Sequence, residues 1–131
     1  MEKMGRGWRT ALLAVALAIA LAACGKQQET ATVKPVQVRL VVPKQVEADA
    51  SIPLKAVVTQ GKEKVNDADE VMFEIWRDGE EKNSQMLKAH NGKNGIYTAK
   101  MQIKRAGTYT VQVHVTARNM HVMPKTKIAV K

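Results

Sequence analysis

His114-Val115-Thr116-Ala117-Arg118-Asn119-Met120-His121-Val122-Met123-Pro124 is the one stretch of this chain where metal-ligating side chains crowd together. It holds two of the three histidines and two of the five methionines that lie beyond residue 24. Imidazole nitrogen suits copper in either oxidation state and also zinc. Thioether sulfur is soft, suits Cu(I) and is a poor partner for zinc, which prefers Cys, His or carboxylate. The chemistry on offer from His114, His121 and Met123, with Met120 beside them, is the binding of a soft metal ion, copper foremost.

The rest of the chain offers little else that could react. There are no paired carboxylates in a plausible cleft, no serine with an adjacent base and no glycine-rich phosphate loop, so no enzymatic activity is expected. His90 precedes Asn91-Gly92 at the end of a strand; it is a loop histidine unless folding carries it to the patch, where it would be an auxiliary ligand alongside Met120. Met72 and Trp76 are candidates to wall the patch, or else form an exposed apolar strip or a partner surface. Glu74, between them, reads as a solvated charge.

Strands must position these residues. Val36, Val38, Leu40 and Val42 alternate with other residues until Pro43 breaks the run. The same period of two recurs in Ile52–Val58, Val71–Ile75, Ser84–Ala89, Tyr97–Ile103, Tyr109–Val115 and the segment ending in Ile128 and Val130, with turn signals between. This pattern predicts an all-β, immunoglobulin-like antiparallel β-sandwich of about seven strands. Gly107-Thr108-Tyr109 stands where a tyrosine corner opens the sixth strand of that fold. No segment beyond residue 24 has a helical period.

This architecture gives the central stretch a geometry. If Val113 and Val115 point inward, His114 and Thr116 point outward. Val122, Ile128 and Val130 claim the core on the last strand, which turns His121 and Met123 outward. A four-residue loop over Ala117–Met120 then sets Thr116 opposite His121 and His114 opposite Met123, with Met120 able to close over the patch. Opposed Cβ atoms lie roughly 4.5–5.5 Å apart, near enough for ring nitrogen and sulfur to converge. Slipping by one residue would bury His121 and expose Val122, so the apolar pattern pins the register.

The first residues read as an address. Lys3, Arg6 and Arg9 precede an uncharged apolar run, Thr10–Leu21, and then Leu21-Ala22-Ala23-Cys24. The run is too short to span a membrane and ends in small residues, as a secretory signal does. Leu-Ala-Ala-Cys resembles the bacterial lipobox, which implies removal of residues 1–23 and lipidation of Cys24; the alternative is a plain signal peptide with a chance cysteine. Cys24 is the only cysteine, so no intrachain disulfide can form. Residues 24–35 comprise this cysteine and a polar, aperiodic tether, and 36–131 the folded domain. The expected location is the extracytoplasmic face of the cell membrane, through a lipid anchor.

The net charge is +9, from 21 basic and 12 acidic side chains. Three of those basic residues and one acidic residue precede Cys24, which leaves +7 for the remainder. Such a surface favours anionic neighbours. No basic run with interleaved aromatics points to nucleic acid, and none is expected as a partner.

Ala68–Gly79 (ADEVMFEIWRDG), His90–Tyr97 (HNGKNGIY) and Ala106–Pro124 (AGTYTVQVHVTARNMHVMP), behind a lipobox, together resemble the YtkA-like family of bacterial lipoproteins, grouped with FixH-type domains. The likeness runs over roughly residues 35–131. It implies an immunoglobulin-like domain outside the cytoplasm on a membrane anchor, with His90, His114, His121 and Met123 as the matching polar positions. The FixH connection implies copper supply to a copper-dependent membrane oxidase. The His121-x-Met123 pair is also similar to the ligand pairs of extracytoplasmic copper chaperones. Two expectations stand: a lipoprotein that binds or delivers copper through the patch, or a metal-free module that contacts cell-wall polymer or another membrane protein. Metal retained by the purified domain separates them.

Overall fold

Alternation of apolar and polar side chains drives each strand of this protein to bury one face and leave the other wet. The computed structural model describes residues 32–131. The expected leader, Cys24 and the expected tether as far as residue 31 lie outside the described residues. The strands are β1 (Val36–Val41), β2 (Gln45–Val46), β3 (Ser51–Gln60), β4 (Glu63–Lys64), β5 (Glu70–Arg77), β6 (Gln85–Lys88), β7 (His90–Asn91), β8 (Ile96–Gln102), β9 (Gly107–Ala117), β10 (Met120–Val122) and β11 (Lys125–Val130). A single 3-10 turn, Glu81–Asn83, is the only helical piece among the described residues.

Two sheets face each other. The first has the order β1-β3-β8-β7, with β4 also paired to β3; the second has the order β2-β11-β9-β5-β6, with β10 also paired to β9. The immunoglobulin-like sandwich expected from the alternation is therefore the fold. The seven expected strands are all present, the last divided by Met123-Pro124 into β10 and β11. Three two-residue strands, β2, β4 and β7, are additional, since two residues carry no period to read. One pairing departs from the antiparallel expectation: β2 runs parallel to β11, with Ala129 opposite Gln45 and Val130 opposite Val46. After Pro43 the chain leaves the edge of one sheet and joins the edge of the other, so it arrives in the direction of β11.

The core lies between the sheets and is built from the inward set of each strand. Phe73, Ile52, Leu54, Val58, Val111, Val113, Val115 and Ile128 are all fully buried. At roughly 25 cal/mol per Å² of apolar area, burying side chains of this size stabilises by about 1.5–3 kcal/mol each. Tyr109 Oη donates to the Arg105 carbonyl at 2.6 Å, which is the tyrosine corner expected at that position. Strand β9 sits in the middle of its sheet, paired on one side to β5 and on the other to β10 and β11. Its inward residues Val113 and Val115 are 0% exposed, which holds His114 and Thr116 on the outer face.

The β9–β10 connection is tighter than the four-residue loop expected. Ala117 pairs with Met120, leaving Arg118 and Asn119 as a two-residue turn, both with positive φ (51° and 63°). Two left-handed central residues match the twist of a hairpin. Asn tolerates that region; Arg118 does not favour it, and its side chain is tied down elsewhere. It makes a paired contact with Glu63 (2.8 Å to each carboxylate oxygen), and further bonds to Asp67 at 3.1 Å and Gln60 at 2.9 Å. These bonds raise the Arg118 pKa further and lower that of Glu63. The hairpin tip is thereby fastened to the β3–β4 hairpin of the opposite sheet.

Candidate functional site

The outer face of the second sheet carries the patch. Pairing sets Met72 beside His114 on one side. On the other, Thr116 faces His121 and Val115 faces Val122, while Gln112 faces Lys125. The same register continues between those pairs, so His114 and Met123 are opposite each other. Their side chains meet: His114 Nδ1 lies 3.2 Å from Met123 Sδ. His114 Nε2 lies 2.7 Å from Glu74 Oε2.

Glu74 decides which nitrogen of His114 is free. Its carboxyl is held below the usual carboxylate range, first by the His114 hydrogen bond and then by one to Ser84; burial opposes them weakly. An ionised carboxylate only accepts, so in the neutral imidazole Nε2 carries the proton and donates. The Nδ1 lone pair is then presented towards the Met123 sulfur. A carboxylate fixing the ring of a ligating histidine in this way is the usual outer support of protein metal sites. A second imidazole stands beside this pair. The His121 ring centroid is 6.2 Å from that of His114, tilted by 39°, and its Nδ1 bonds Thr116 Oγ1 at 2.8 Å.

These distances suit one small ion. Metal–nitrogen bonds of roughly 2.0–2.1 Å and metal–sulfur bonds of roughly 2.3 Å allow donor separations up to about 4.4 Å, and 3.2 Å lies within that. By the same bond lengths two imidazoles on one ion have centroids no more than roughly 6.5 Å apart. Among the described residues no three His, Cys, Asp or Glu side chains converge on a common point. The donors that do meet here, His114 Nδ1 and Met123 Sδ, are an imidazole and a thioether, a set that suits Cu(I) better than zinc.

The other candidates are placed elsewhere. Met120 does not cover the patch. Because the turn is two residues long, Met120 belongs to β10, and alternation turns it away from His121; its sulfur accepts the Val36 N–H at 3.3 Å and its side chain packs against the core. His90 does not reach the patch either. The chain changes sheets between β6 and β7, and His90 pairs with Thr98 on the outer face of the first sheet. Met72 lies at the patch. Trp76 shares its face but is four residues further along β5, roughly 13 Å away at the rise of a strand. It is 8% exposed rather than part of an open apolar strip, and it lines a separate cleft of about 430 Å³ with Asp78, Thr110 and Lys127.

Two participants escaped the sequence reading. Glu74 is a hydrogen-bond partner of His114 rather than a solvated charge. Met86, 50% exposed, stands opposite Glu74 on β6 and adds a thioether one row from the patch. The alternation of Met86 with inward Leu87 was a usable signal; the Glu74 contact, which joins residues 40 apart in sequence, was not.

A small immunoglobulin-like sandwich with a His/Met patch on the outer face of one sheet is thus the class of domain. The chain belongs to the YtkA-like family, whose profile matches residues 30–114. The match includes His90 and His114 and stops short of His121 and Met123. No curated protein matches the chain. Among solved structures it is similar to an engineered protein, at 17% identity and a TM-score of 0.60 over 74% of this chain and 20% of that one. It is also similar to the Lin-41 filamin domain (8% identity, TM-score 0.52, covering 76% and 98%). A third is the PKD domain of an M14-like peptidase from a Thermoplasmatales archaeon (14%, 0.51, 76% and 98%). The chain spans about a fifth of the engineered protein. At these identities the likeness shows the fold alone.

Proposed function

We propose that this protein is a non-enzymatic, lipid-anchored lipoprotein on the extracytoplasmic face of the cell membrane that binds Cu(I) as cargo. His114, Met123 and His121 are its ligands, Glu74 orients His114, and Met72 lies alongside. The observation that carries the reading is the contact of His114 Nδ1 with Met123 Sδ while Nε2 is held by Glu74. A bound soft ion would meet one sulfur and one or two nitrogens on an open face. Met123 is 47% exposed, so cargo held there is accessible to a second protein. Support for the location comes from Leu21-Ala22-Ala23-Cys24, which resembles a lipobox; membership of the YtkA-like family fits an extracytoplasmic domain. The acceptor for such cargo is a copper-dependent membrane oxidase, which the resemblance to FixH-type domains implies, or another membrane protein.

The test is an anaerobic Cu(I) competition titration on residues 25–131, which contain the whole buried core. One tight equivalent in wild type, weakened in Met123→Leu and His114→Ala, supports the reading. Equal affinity in all three chains hands the case to a metal-free module. Replacing Met123 by Leu keeps the volume and removes the soft donor, so Cu(I) should suffer more than Zn(II).

A further inference from the structure

The opposite face of the sandwich has a composition of its own. Register and alternation set Gln37, Arg39 and Val41 outward on β1, and Pro53, Lys55, Val57 and Thr59 outward on β3. Lys64 on β4 follows Thr59. Thr98 and Lys100 on β8 and His90 on β7 lie on the same face. Among the described residues, no Asp or Glu occupies an outward position on these five strands. Glu63, the one acid in them, is turned to Arg118. Across the middle runs an open groove of about 760 Å³, walled by Val41, Val42, Pro43 and Pro53 with Lys55, Lys100 and His90 along it. The outer face of the second sheet, in contrast, mixes Glu70, Glu74 and Asp78 with its lysines.

A face with both cations and apolar side chains fits one partner better than others. Lysine and arginine stems bury against apolar surface while their heads reach phosphate. A phospholipid surface offers anionic headgroups with acyl chain just beneath, and so uses both parts of this face. A soluble polyanion uses only the charge, and an acidic protein would need matching apolar side chains. The tether supplies the proximity: from Cys24 to the first residue of β1 is 12 residues, at most roughly 40 Å extended. An anchor at that distance keeps the domain within reach of headgroups.

We propose that the outer face of the β1-β3-β8-β7 sheet lies against an anionic phospholipid surface through Arg39, Lys55, Lys64 and Lys100, with Val41, Pro43 and Pro53 settling between the headgroups. The proposal rests on the lipid-anchored reading for its membrane. It has a consequence for the patch: with one sheet on the bilayer, the His114–Met123 face of the other sheet points away from it, towards partners.

The test uses residues 25–131 without an anchor, cosedimented with vesicles of phosphatidylcholine, alone or with a minority of phosphatidylglycerol. Each lysine near an anionic surface contributes about fivefold in partitioning. The Lys55→Glu/Lys100→Glu variant should therefore bind phosphatidylglycerol vesicles at least about twentyfold more weakly. Lys88→Glu/Lys125→Glu changes the net charge equally on the other face. The sheets are roughly 10 Å apart, about a Debye length, so that variant should lose less than about threefold. The neutral variant Lys55→Gln/Lys100→Gln replaces the charge reversal if the latter unfolds by circular dichroism. Absence of a phosphatidylglycerol preference overturns the proposal, as does equal loss in the two double variants. So does tighter binding to soluble polyphosphate than to vesicles at equal phosphate concentration, which would make the partner a polymer. Failure of the anchor itself reads out separately, as Cys24→Ser leaving the full-length chain in the membrane fraction after a high-salt wash that releases the charge-dependent contact.

Discussion

Replacing Glu74 tests how the patch is held together. Glu74→Gln keeps the size of the side chain and removes the charge. In the wild type, Glu74 Oε2 accepts from His114 Nε2 at 2.7 Å, with both side chains only about a fifth exposed (22% and 20%). A charge-assisted hydrogen bond is worth about 1.5–3 kcal/mol when well buried; with this much solvent access we expect about 1 kcal/mol of folding stability to be lost. The loss has a pH signature. The Glu74 carboxyl is lowered in the folded protein from its ordinary value of 4.5, so the unfolded chain takes up the proton first as pH falls. Its contribution is full above pH 4.5 and disappears as pH drops through the depressed value. Urea unfolding at neutral pH should separate wild type from variant, and the two curves should converge in acid. The larger effect falls on metal. Freed from the carboxylate, His114 can adopt either tautomer and turn its ring, and losses of this kind typically cost 10–100-fold in affinity. An anaerobic Cu(I) titration of the variant should show a loss in that range with the stoichiometry unchanged. Unchanged Cu(I) affinity would refute the orienting role of Glu74, and a stability gap that persists in acid would refute the charge-assisted hydrogen bond as its source.

Three further outcomes follow from the fold. Val113→Asp puts an unpaired carboxylate at a fully buried site and should cost several kcal/mol in urea unfolding, whereas His114→Ala should cost about 1 kcal/mol; equal damage would mean that β9 is turned over. Tyr109→Phe removes only the bond to the Arg105 carbonyl and should cost about 1 kcal/mol by thermal or urea unfolding, and no loss would leave the corner without energetic content. Cys24→Ser should move the chain from the membrane fraction to the soluble fraction after a high-salt wash; salt is needed because a basic domain clings to anionic lipid without an acyl chain.

What could be read in advance depended on how far apart the interacting residues stand. Within β9 and its hairpin, period-two alternation was enough to turn Val113 and Val115 inward and to set His114 opposite Met123 and His121 opposite Thr116. Met120 was misplaced because the turn hangs on Arg118 in a left-handed conformation. That residue gives no local signal, and its restraint comes from Glu63 and Asp67 in another hairpin. Folding does not carry His90 to the patch, because β7 is two residues long and belongs to the other sheet, a switch that no periodicity announces. Glu74 went unrecognised for a related reason. Its side chain meets His114 only once β5 and β9 are in register, and that register follows from packing Phe73 and Val113 into one core.

The most direct measurement of the central claim is copper K-edge X-ray absorption on residues 25–131 loaded anaerobically with one equivalent of Cu(I), in wild type and in Met123→Leu. Copper held by His114, His121 and Met123 should show mixed sulfur and nitrogen scattering in wild type, with the sulfur contribution removed or sharply reduced in the variant. A nitrogen- and oxygen-only shell in wild type, or a sulfur contribution unaffected by the loss of Met123, would contradict it.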